Sequence, residues 1–265
     1  MYDKYKAYFE TWLNLPIESI EHATDISVHP HEKRLEKPIA SMLYMPICAF
    51  ETENALIISC IPEWEEKMHK CLRNVHKDEA VSKIADTFCK YEIGVYLSHT
   101  NHQFYGLAEK NTEIDTTKAV KLEMHHLNQF REYYKKLKPN MFESRITSPD
   151  DWFPQAYEEM INCRAQFCVM ENDKIVCATD AEDMPNKPDS IINLGINTLA
   201  DYRKKGYATA ACAEFISHYA RQGIQPVWQC SFSNSISQSL AKKLGFRYIG
   251  NVFHLSTFTK YPDGN

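Results

Sequence analysis

The sequence lacks any long uninterrupted apolar run. Its 265 residues are 44% apolar and 25% charged, and no window approaches the roughly 18 apolar residues of a membrane span. The first residues, "MYDKYKAYFETWLNLP", interleave charges with aromatics and lack the apolar segment of a signal peptide. We therefore expect a soluble, cytoplasmic protein that binds no membrane and whose mature chain starts near Met1.

Paired cysteines, a basic excess and a metal-binding frame are also missing. The nine cysteines are odd in number, scattered and without a C-x-x-C pair, which disfavours a disulfide framework or a zinc ribbon and fits a reducing compartment. The net charge of −5 argues against a nucleic-acid partner. Histidine pairs occur without an H-E-x-x-H frame, so we predict no metal site; they are His29 and His31, His99 and His102, and His125 and His126.

The first half of the chain has a mixed pattern. Helical spacing of apolar residues marks "YDKYKAYFETWL", "EWEEKMHKCLRNV" and "DEAVSKIADTFCKY", whereas "NALIISCIP" is typical of a buried strand and "EIGVYLSHT" is a weaker strand candidate. The longest helical pattern runs from Val120 to Pro139. We place a domain boundary after it, near Asn140. This gives an N-terminal α/β accessory domain, residues 1–140, and a second domain, residues 141–265.

The second half alternates short strands and helices. "FESRITS" predicts a strand, "SPDDWFPQAYEEMI" a helix, and "RAQFCVM" with "IVCATDAED" an antiparallel hairpin across the turn "ENDK". "SIINLGINTL" and "PVWQCSF" predict strands, each followed by a helix: "GYATAACAEFISHYARQ" and "SISQSLAKKLGF". We expect an α/β (α+β) fold with a mixed, mostly antiparallel sheet flanked by helices.

Three cations precede a glycine at the start of the first of those helices, in "LADYRKKGYATAACAEF". A helix start carries unsatisfied N–H groups and about half a positive charge, so cations there are unfavourable unless an anion binds. Gly206 lets an anion approach the backbone closely. Neither the Walker pattern nor the dinucleotide fingerprint is present, so ATP and NAD are disfavoured. A solvated basic turn is about equally compatible with this segment alone.

The order of these segments resembles the GNAT superfamily of acyl-CoA-dependent N-acyltransferases. Arg203, Gly206 and Ala208 match its [QR]-x-x-G-x-[GA] pattern, and a strand, Asn234 and K-L-G-F follow at the right distance. The resemblance covers residues 142–258. The W-x-C strand end and the S-x-x-L-A-x-K-L-G-F helix are most similar to the branch that includes the zwittermicin-resistance acetyltransferase. For residues 1–140 a degenerate half of the same kind stays open as an alternative.

The resemblance implies acetyl-CoA as cosubstrate and an amine of a small molecule or peptide as acceptor. It places the coenzyme A pyrophosphate on the loop before the helix and the pantetheine arm along the strand of residues 193–199. Its catalytic candidates are the N–H of Ile196, directed at the thioester carbonyl, and Ser237. The implied coenzyme-binding residues are Asn197, Thr198, Arg203, Lys204, Lys205, Gly206, Tyr207, Ala208, Asn234 and Ser237.

One departure from the family pattern concerns the acid that protonates the departing thiolate. Ala241 stands where many members carry tyrosine. Ser237 or Tyr248, water, or the absence of fast chemistry remain as alternatives, in that order. The base candidates Asp180, Glu182 and Asp183 are read more readily as surface carboxylates, because Asp and Glu are mostly exposed.

Three hypotheses of function remain from the sequence. The leading one is an N-acetyltransferase that works by direct attack. The second is a coenzyme A-binding sensor without fast catalysis, and the third is a fold relative that binds no nucleotide. An acyl-enzyme on Cys230 is disfavoured, because buried cysteines in strands are mostly inert. Oligomeric state is not predicted.

Overall fold

The structure is a computed structural model that describes residues 2–36, 43–89, 98–143, 148–181 and 188–257. Its helices are α1 Lys6–Leu13, α2 Ile17–Glu21, α3 Glu65–Leu72, α4 Lys77–Phe88, α5 Leu127–Leu137, α6 Pro139–Glu143, α7 Pro149–Cys163, α8 Tyr207–Ala220 and α9 Ser235–Lys243. Its strands are β1 Asp25–Pro30, β2 Tyr44–Glu51, β3 Ala55–Cys60, β4 Ser98–Leu107, β5 Ala119–Lys121, β6 Phe167–Glu171, β7 Lys174–Asp180, β8 Ile191–Asn193, β9 Gly195–Thr198, β10 Gln225–Ser231 and β11 Phe246–Thr257.

A large sheet joins strands from both halves of the chain. It has seven strands in the order β1-β3-β2-β11-β4-β10-β8, with parallel pairing of β1 to β3 and of β10 to β8 and antiparallel pairing elsewhere. Strand β4 lies between β10 and β11 and pairs antiparallel with both. The N-terminal half therefore supplies a strand to the middle of the sheet that carries the candidate site.

A smaller sheet of four strands, in the order β5-β6-β7-β9, is antiparallel throughout. Helix α8 packs on one face, where Tyr207, Ala210 and Ala211 meet Val169 and Val176. Helices α5 and α7 pack on the other face. The two sheets meet where β8 continues directly into β9.

The N-terminal helix is fixed by aromatic packing. Tyr8 and Phe9 of α1 are fully buried and stack on Phe104 of β4 and Phe50 of β2, with ring centroids 5.1 and 3.9 Å apart. Such pairs add to the free energy gained by burying apolar surface. This cluster closes the face of the large sheet opposite α9.

One prediction of secondary structure was wrong, and a second was wrong at the residues that the structure describes. The pattern from Val120 to Pro139 is helical only from Leu127, because Ala119–Lys121 pairs with β6 and His126 caps the turn by accepting from the Glu123 N–H. Of the predicted strand "FESRITS", Phe142 and Glu143 lie in α6, where Phe142 packs against Phe153, and residues 144–147 lie outside the described residues.

The other predicted helices and strands agree with the structure where it describes them. The predicted strand "EIGVYLSHT" falls mostly outside the described residues, and the observed strand β4 continues to Leu107. The expected mixed α/β fold, with a largely antiparallel sheet flanked by helices, is confirmed. The domain boundary near residue 140 stays a prediction.

Candidate active site

A gap opens in the sheet where two parallel strands separate. Strand β8 pairs with β10 through Asn193 and Val227, and the N–H of Leu194 donates to the carbonyl of Val227 at 3.0 Å. From Gly195 onward the chain pairs with β7 instead. Strand β10 continues to Ser231 with β4 on its other side. A wedge-shaped gap, bounded by β9 and the second half of β10, is the result.

The alternation of hydrogen-bonded and non-bonded positions along β9 shows which of its backbone groups face this gap. The N–H of Leu199 donates to the Val176 carbonyl at 3.0 Å, in the register that pairs β9 with β7. Antiparallel pairs alternate between hydrogen-bonded and non-bonded positions, so Gly195 and Asn197 bond to β7. Ile196 and Thr198 therefore direct their N–H and C=O groups away from β7, toward the gap.

Helix α8 begins at the outer end of the gap with its first N–H groups uncapped. Gly206 is the N-cap residue with φ of 84°, and no side chain among the described residues caps this helix. By contrast, the Asn234 side chain accepts from the backbone N–H of Ser237 at the start of α9. A Cβ on Gly206 would meet nothing within 4 Å, so the space above it is open. Such a helix start is a ready anion site.

The three cations before Gly206 point in different directions. Arg203 reaches back along β9, where its Nε donates to the Thr198 carbonyl at 3.3 Å. Lys204 has φ of 63°, a left-handed conformation that shapes the loop. The Lys205 ammonium lies 3.7 Å from the Glu171 carboxylate and 4.8 Å from the centroid of the Tyr202 ring. All three adjoin the helix start, so they add positive potential there.

The other proposed coenzyme-binding residues differ in which backbone or side-chain group faces the gap. Tyr207 is 7% exposed and its ring packs in the core beside α8, so its backbone N–H is the group available at the helix start. Ala208 follows in the same first turn. Asn197 has its backbone turned to β7, and its carbonyl accepts from the Tyr133 hydroxyl at 2.9 Å.

The opposite wall of the gap comes from the end of β10 and the start of α9. Trp228 donates through Nε1 to the Ser237 hydroxyl at 2.9 Å. Because indole nitrogen is only a donor, the Ser237 hydroxyl keeps its own proton to donate, and the Cys230 sulfur is one partner within its reach. Cys230 is buried, and burial raises the pKa of its thiol. A thiol held protonated is a poor nucleophile, which counts against an acyl-cysteine route.

The position at which many family members carry the catalytic tyrosine is a packed core position in this chain. Ala241 is fully buried in the cluster that also contains Trp228 and Tyr105. Tyr248 lies on β11, two strands away from the gap in the order β10-β4-β11, and donates to Asn251 at 2.9 Å. Of the two proposed hydroxyls, Ser237 is therefore the one adjoining the gap.

A carboxylate lies on β7, across β9 from the narrow end of the gap. Asp180 pairs with Gly195, and a Cβ on that glycine would come within 2.8 Å of the Asp180 carbonyl. Burial raises the pKa of Asp180, although Lys138 and Arg164 partly oppose the rise. A raised pKa suits a carboxylate that must take a proton from an ammonium or amine. Glu182 and Asp183 lie outside the described residues.

Two histidines from these pairs make local hydrogen bonds to the backbone. His31 and His126 accept from the backbone N–H groups of Lys33 and Glu123. Among the described residues, no cluster of three or more His, Cys, Asp or Glu is arranged to hold a metal ion. No helix in this part of the chain is both long and apolar enough to cross a membrane.

Sequence reasoning missed Tyr133 as a site residue. Its place on the apolar face of the helical pattern between Val120 and Pro139 indicated a core residue, and it is indeed only 3% exposed. Its hydroxyl nevertheless bonds to β9, the strand beside the gap. A tyrosine in a helical stripe, whose hydroxyl needs a partner when buried, was the available signal.

Comparison with known proteins identifies the family of this chain. The family model described as GNAT acetyltransferase matches residues 40–252, a longer stretch than the resemblance seen in the sequence. The uncharacterized N-acetyltransferase YdfB of Bacillus subtilis is 39% identical over 56 residues, which are 21% of this chain and 22% of that protein. The chain thus matches about a fifth of the length of this curated relative.

A solved structure shares the fold, and a second superposes more weakly. A GNAT-family acetyltransferase from Colwellia psychrerythraea superposes with a TM-score of 0.51 at 15% identity, covering 76% of each chain. The aminoglycoside N-acetyltransferase AAC(6')-Iy in complex with CoA is 22% identical with a TM-score of 0.40, covering 60% of this chain and 93% of that one. Since the family match spans most of the sequence, the protein belongs to the GNAT acetyltransferase family.

Proposed function

We propose that the protein transfers an acetyl group from acetyl-CoA to an amine by direct attack. The observation that carries this proposal is the gap between β9 and β10, which leads from the uncapped start of α8 to the backbone groups of Ile196 and Thr198. Anions bind at such helix starts, and an extended pantetheine arm is able to pair with a free strand edge. Asn234 and Ser237 line the other wall.

The chemistry follows from the groups around the narrow end of the gap. The Asp180 carboxylate takes the proton of the attacking amine, whose nitrogen bonds to the thioester carbon. The Ile196 N–H stabilises the negative charge on the carbonyl oxygen, an interaction worth about 3 kcal/mol in comparable sites. The carbon–sulfur bond then breaks, and Ser237 or water protonates the thiolate. The products are an N-acetylated amine and free coenzyme A.

A second function keeps coenzyme A binding but not fast transfer. Ala241 is buried at the position of the family's usual acid, and that observation favours a sensor or interaction module. The two functions share the same binding site and differ only in turnover. For either one we propose a cytoplasmic location, in keeping with nine free cysteines, and membership of the zwittermicin-resistance branch, in keeping with the Trp228 and Cys230 pattern.

Thiol release distinguishes the two functions. The purified protein is titrated calorimetrically with acetyl-CoA and then assayed for free coenzyme A thiol with a panel of amines. Binding together with amine-dependent thiol release and N-acetylated product supports the transferase. Binding without release supports the sensor, and the absence of binding refutes both.

A further inference from the structure

A polar residue of β10 lies across the gap from Ile196. The N–H of Leu194 bonds to the carbonyl of Val227, and continuing this parallel ladder by two residues sets Gln229 opposite Ile196. Side chains alternate along a strand, so Gln229 projects on the same face as Val227, which packs against α1. Its neighbour Trp228 is buried beside α9 on the other face, whereas Gln229 is half-buried. A side-chain amide therefore adjoins the narrow end of the gap on the face of α1.

The N-terminal helix brings a hydroxyl to this amide. Tyr8 of α1 is fully buried, with its ring stacked on Phe104 of β4, the strand next to β10. Its hydroxyl makes no hydrogen bond within the described part of the chain. Burial raises the pKa of Tyr8, and the Gln229 amide opposes that rise, as a nearby N–H donor does. The amide nitrogen of Gln229 is thus turned to Tyr8, which leaves the amide oxygen for another donor.

A second amide at the narrow end also lacks a partner. Asn193 of β8 pairs with Val227 of β10, so its side chain shares the face of Gln229. Its Oδ1 is buried and accepts no hydrogen bond from the residues that the structure describes. Buried polar atoms are rarely left unpaired in folded proteins. Two amide oxygens at one end of the gap therefore favour a ligand that supplies N–H donors.

The proposed base projects on the same face. Asp180 of β7 pairs with Gly195 of β9, and paired residues share one face of a sheet. Gly195 follows Asn193 by two residues, so the side chains of Asp180, Asn193 and Gln229 all project on this face. Because Gly195 has no side chain, none stands on β9 between the Asp180 carboxylate and the gap at this level. A ligand at the narrow end is therefore flanked by a carboxylate on one side and amide oxygens on the other.

We propose that Gln229 binds the acceptor nitrogen through its amide oxygen, that Tyr8 positions the Gln229 side chain, and that the acceptor is a primary amine. This inference rests on the proposed function. A neutral primary amine has one lone pair and two N–H groups. The lone pair forms the bond to the thioester carbon, one proton passes to Asp180, and the other N–H bonds to Gln229, with Asn193 beside it. The carbon–sulfur bond breaks, and coenzyme A leaves with its electron pair.

A secondary amine does not satisfy the same set of contacts. Its single N–H is needed for the proton transfer to Asp180, so the Gln229 oxygen is left without a donor. A site that bonds to a substrate N–H discriminates against an analogue that lacks it. We therefore expect a primary amine to be preferred over its N-methyl derivative by more than the steric effect of the methyl group.

Matched amines test the role of Gln229. Primary amines are supplied with acetyl-CoA, thiol release and acetylated product are measured, and each active amine is compared with its N-methyl derivative. The ratio of the two kcat/KM values should favour the primary amine in the native protein and fall about tenfold in Gln229→Leu, as for one neutral hydrogen bond. Leucine has a similar size, so steric rejection of the methyl group would persist. An unchanged ratio in Gln229→Leu, or a native protein without this preference, overturns the inference.

Tyr8→Phe tests the positioning role. The substitution removes an unpaired buried hydroxyl, so a purely structural role predicts equal or greater stability with unchanged activity. We expect that stability together with a primary-to-secondary ratio lowered about fivefold, as for one weakened hydrogen bond, and an unchanged KM for acetyl-CoA. Ser59→Ala is the matched control, because it removes another fully buried, unpaired hydroxyl on β3, four strands from β10. A native ratio in Tyr8→Phe, or an equal fall in Ser59→Ala, overturns the positioning role.

Calorimetric binding of acetyl-CoA to the same preparations separates failure of this inference from failure of the proposed function. Coenzyme binding and thiol release with an unchanged ratio remove the inference alone. Loss of coenzyme binding in the native protein, or binding without release for any amine, removes the transferase as well.

Discussion

The charge of a side chain placed on Gly206 should control acetyl-CoA affinity. Asparagine and aspartate have the same shape, and both tolerate the left-handed conformation that this residue adopts, with φ of 84°. A Cβ there meets open space, so neither variant is excluded by packing. The pair Gly206→Asn and Gly206→Asp therefore isolates the effect of one negative charge beside the proposed pyrophosphate site.

The expected size of that effect follows from Coulomb's law. One charge about 6 Å from a doubly charged pyrophosphate costs about 1.4 kcal/mol at the dielectric constant of water and about 2.8 kcal/mol at half that value. These energies correspond to roughly tenfold and hundredfold in Kd. The Asp variant should bind acetyl-CoA weaker than the Asn variant by a factor in this range. Without ligand it should unfold at an equal or higher temperature, because a carboxylate at a helix start is stabilising.

Isothermal titration of the two variants with acetyl-CoA measures the difference. The gap between them should shrink in about 1 M salt, where the Debye length falls to roughly 3 Å. Equal affinities of the Asn and Asp variants at low salt would refute the assignment of the pyrophosphate to the start of α8.

Three other substitutions give distinct outcomes. Asp180→Asn should lower kcat/KM about 100-fold or more at neutral pH with acetyl-CoA affinity kept. Because burial raises the Asp180 pKa, Asp180→Asn should also be more stable than the native protein at neutral pH, with an advantage that shrinks as pH falls through that pKa. Equal stability of the two proteins in chemical unfolding, at neutral and at acidic pH, would contradict this. Ala241→Tyr should lower the free energy of unfolding by about 3 kcal/mol and not raise kcat, because the site is fully buried; a faster, equally stable variant would show that the acid position is open. Burial, with His102 and His99 nearby, lowers the pKa of His254 to about 4. The stability that neutral His254 contributes is therefore complete above pH 6.5 and falls by up to about 3 kcal/mol as pH drops to 4. In His254→Gln this part of the pH dependence, followed by denaturant unfolding, should vanish, and an unchanged profile would disprove it.

The start of α8 was predictable because its signals are local. The cations, Gly206 and the apolar face of the helix all lie within a few residues of each other, and their order with the flanking strands identified the family. Once the register of β9 on β7 was known, it determined that the N–H groups of Ile196 and Thr198 point away from β7. Short-range patterns with a strict period transfer well from sequence to structure.

Features that depend on distant partners were not predictable. The helical spacing before Leu127 gave way because Ala119–Lys121 pairs with β6, about fifty residues along the chain. The insertion of β4 between β10 and β11 has no local signal, because strand order is decided by long-range pairing. Tyr133 carried the pattern of a core residue and gained its place beside the site only when α5 packed on β7 and β9.

The central claim is that coenzyme A pairs with the free edge of β9, and amide hydrogen exchange observed by NMR tests it most directly. Ile196 and Thr198 direct their N–H groups into the gap, whereas the N–H of Asn197 is already turned to β7. On addition of acetyl-CoA, we predict slower exchange at one or both of Ile196 and Thr198, with Asn197 little changed. Unchanged exchange at both residues in the presence of saturating acetyl-CoA would contradict the account.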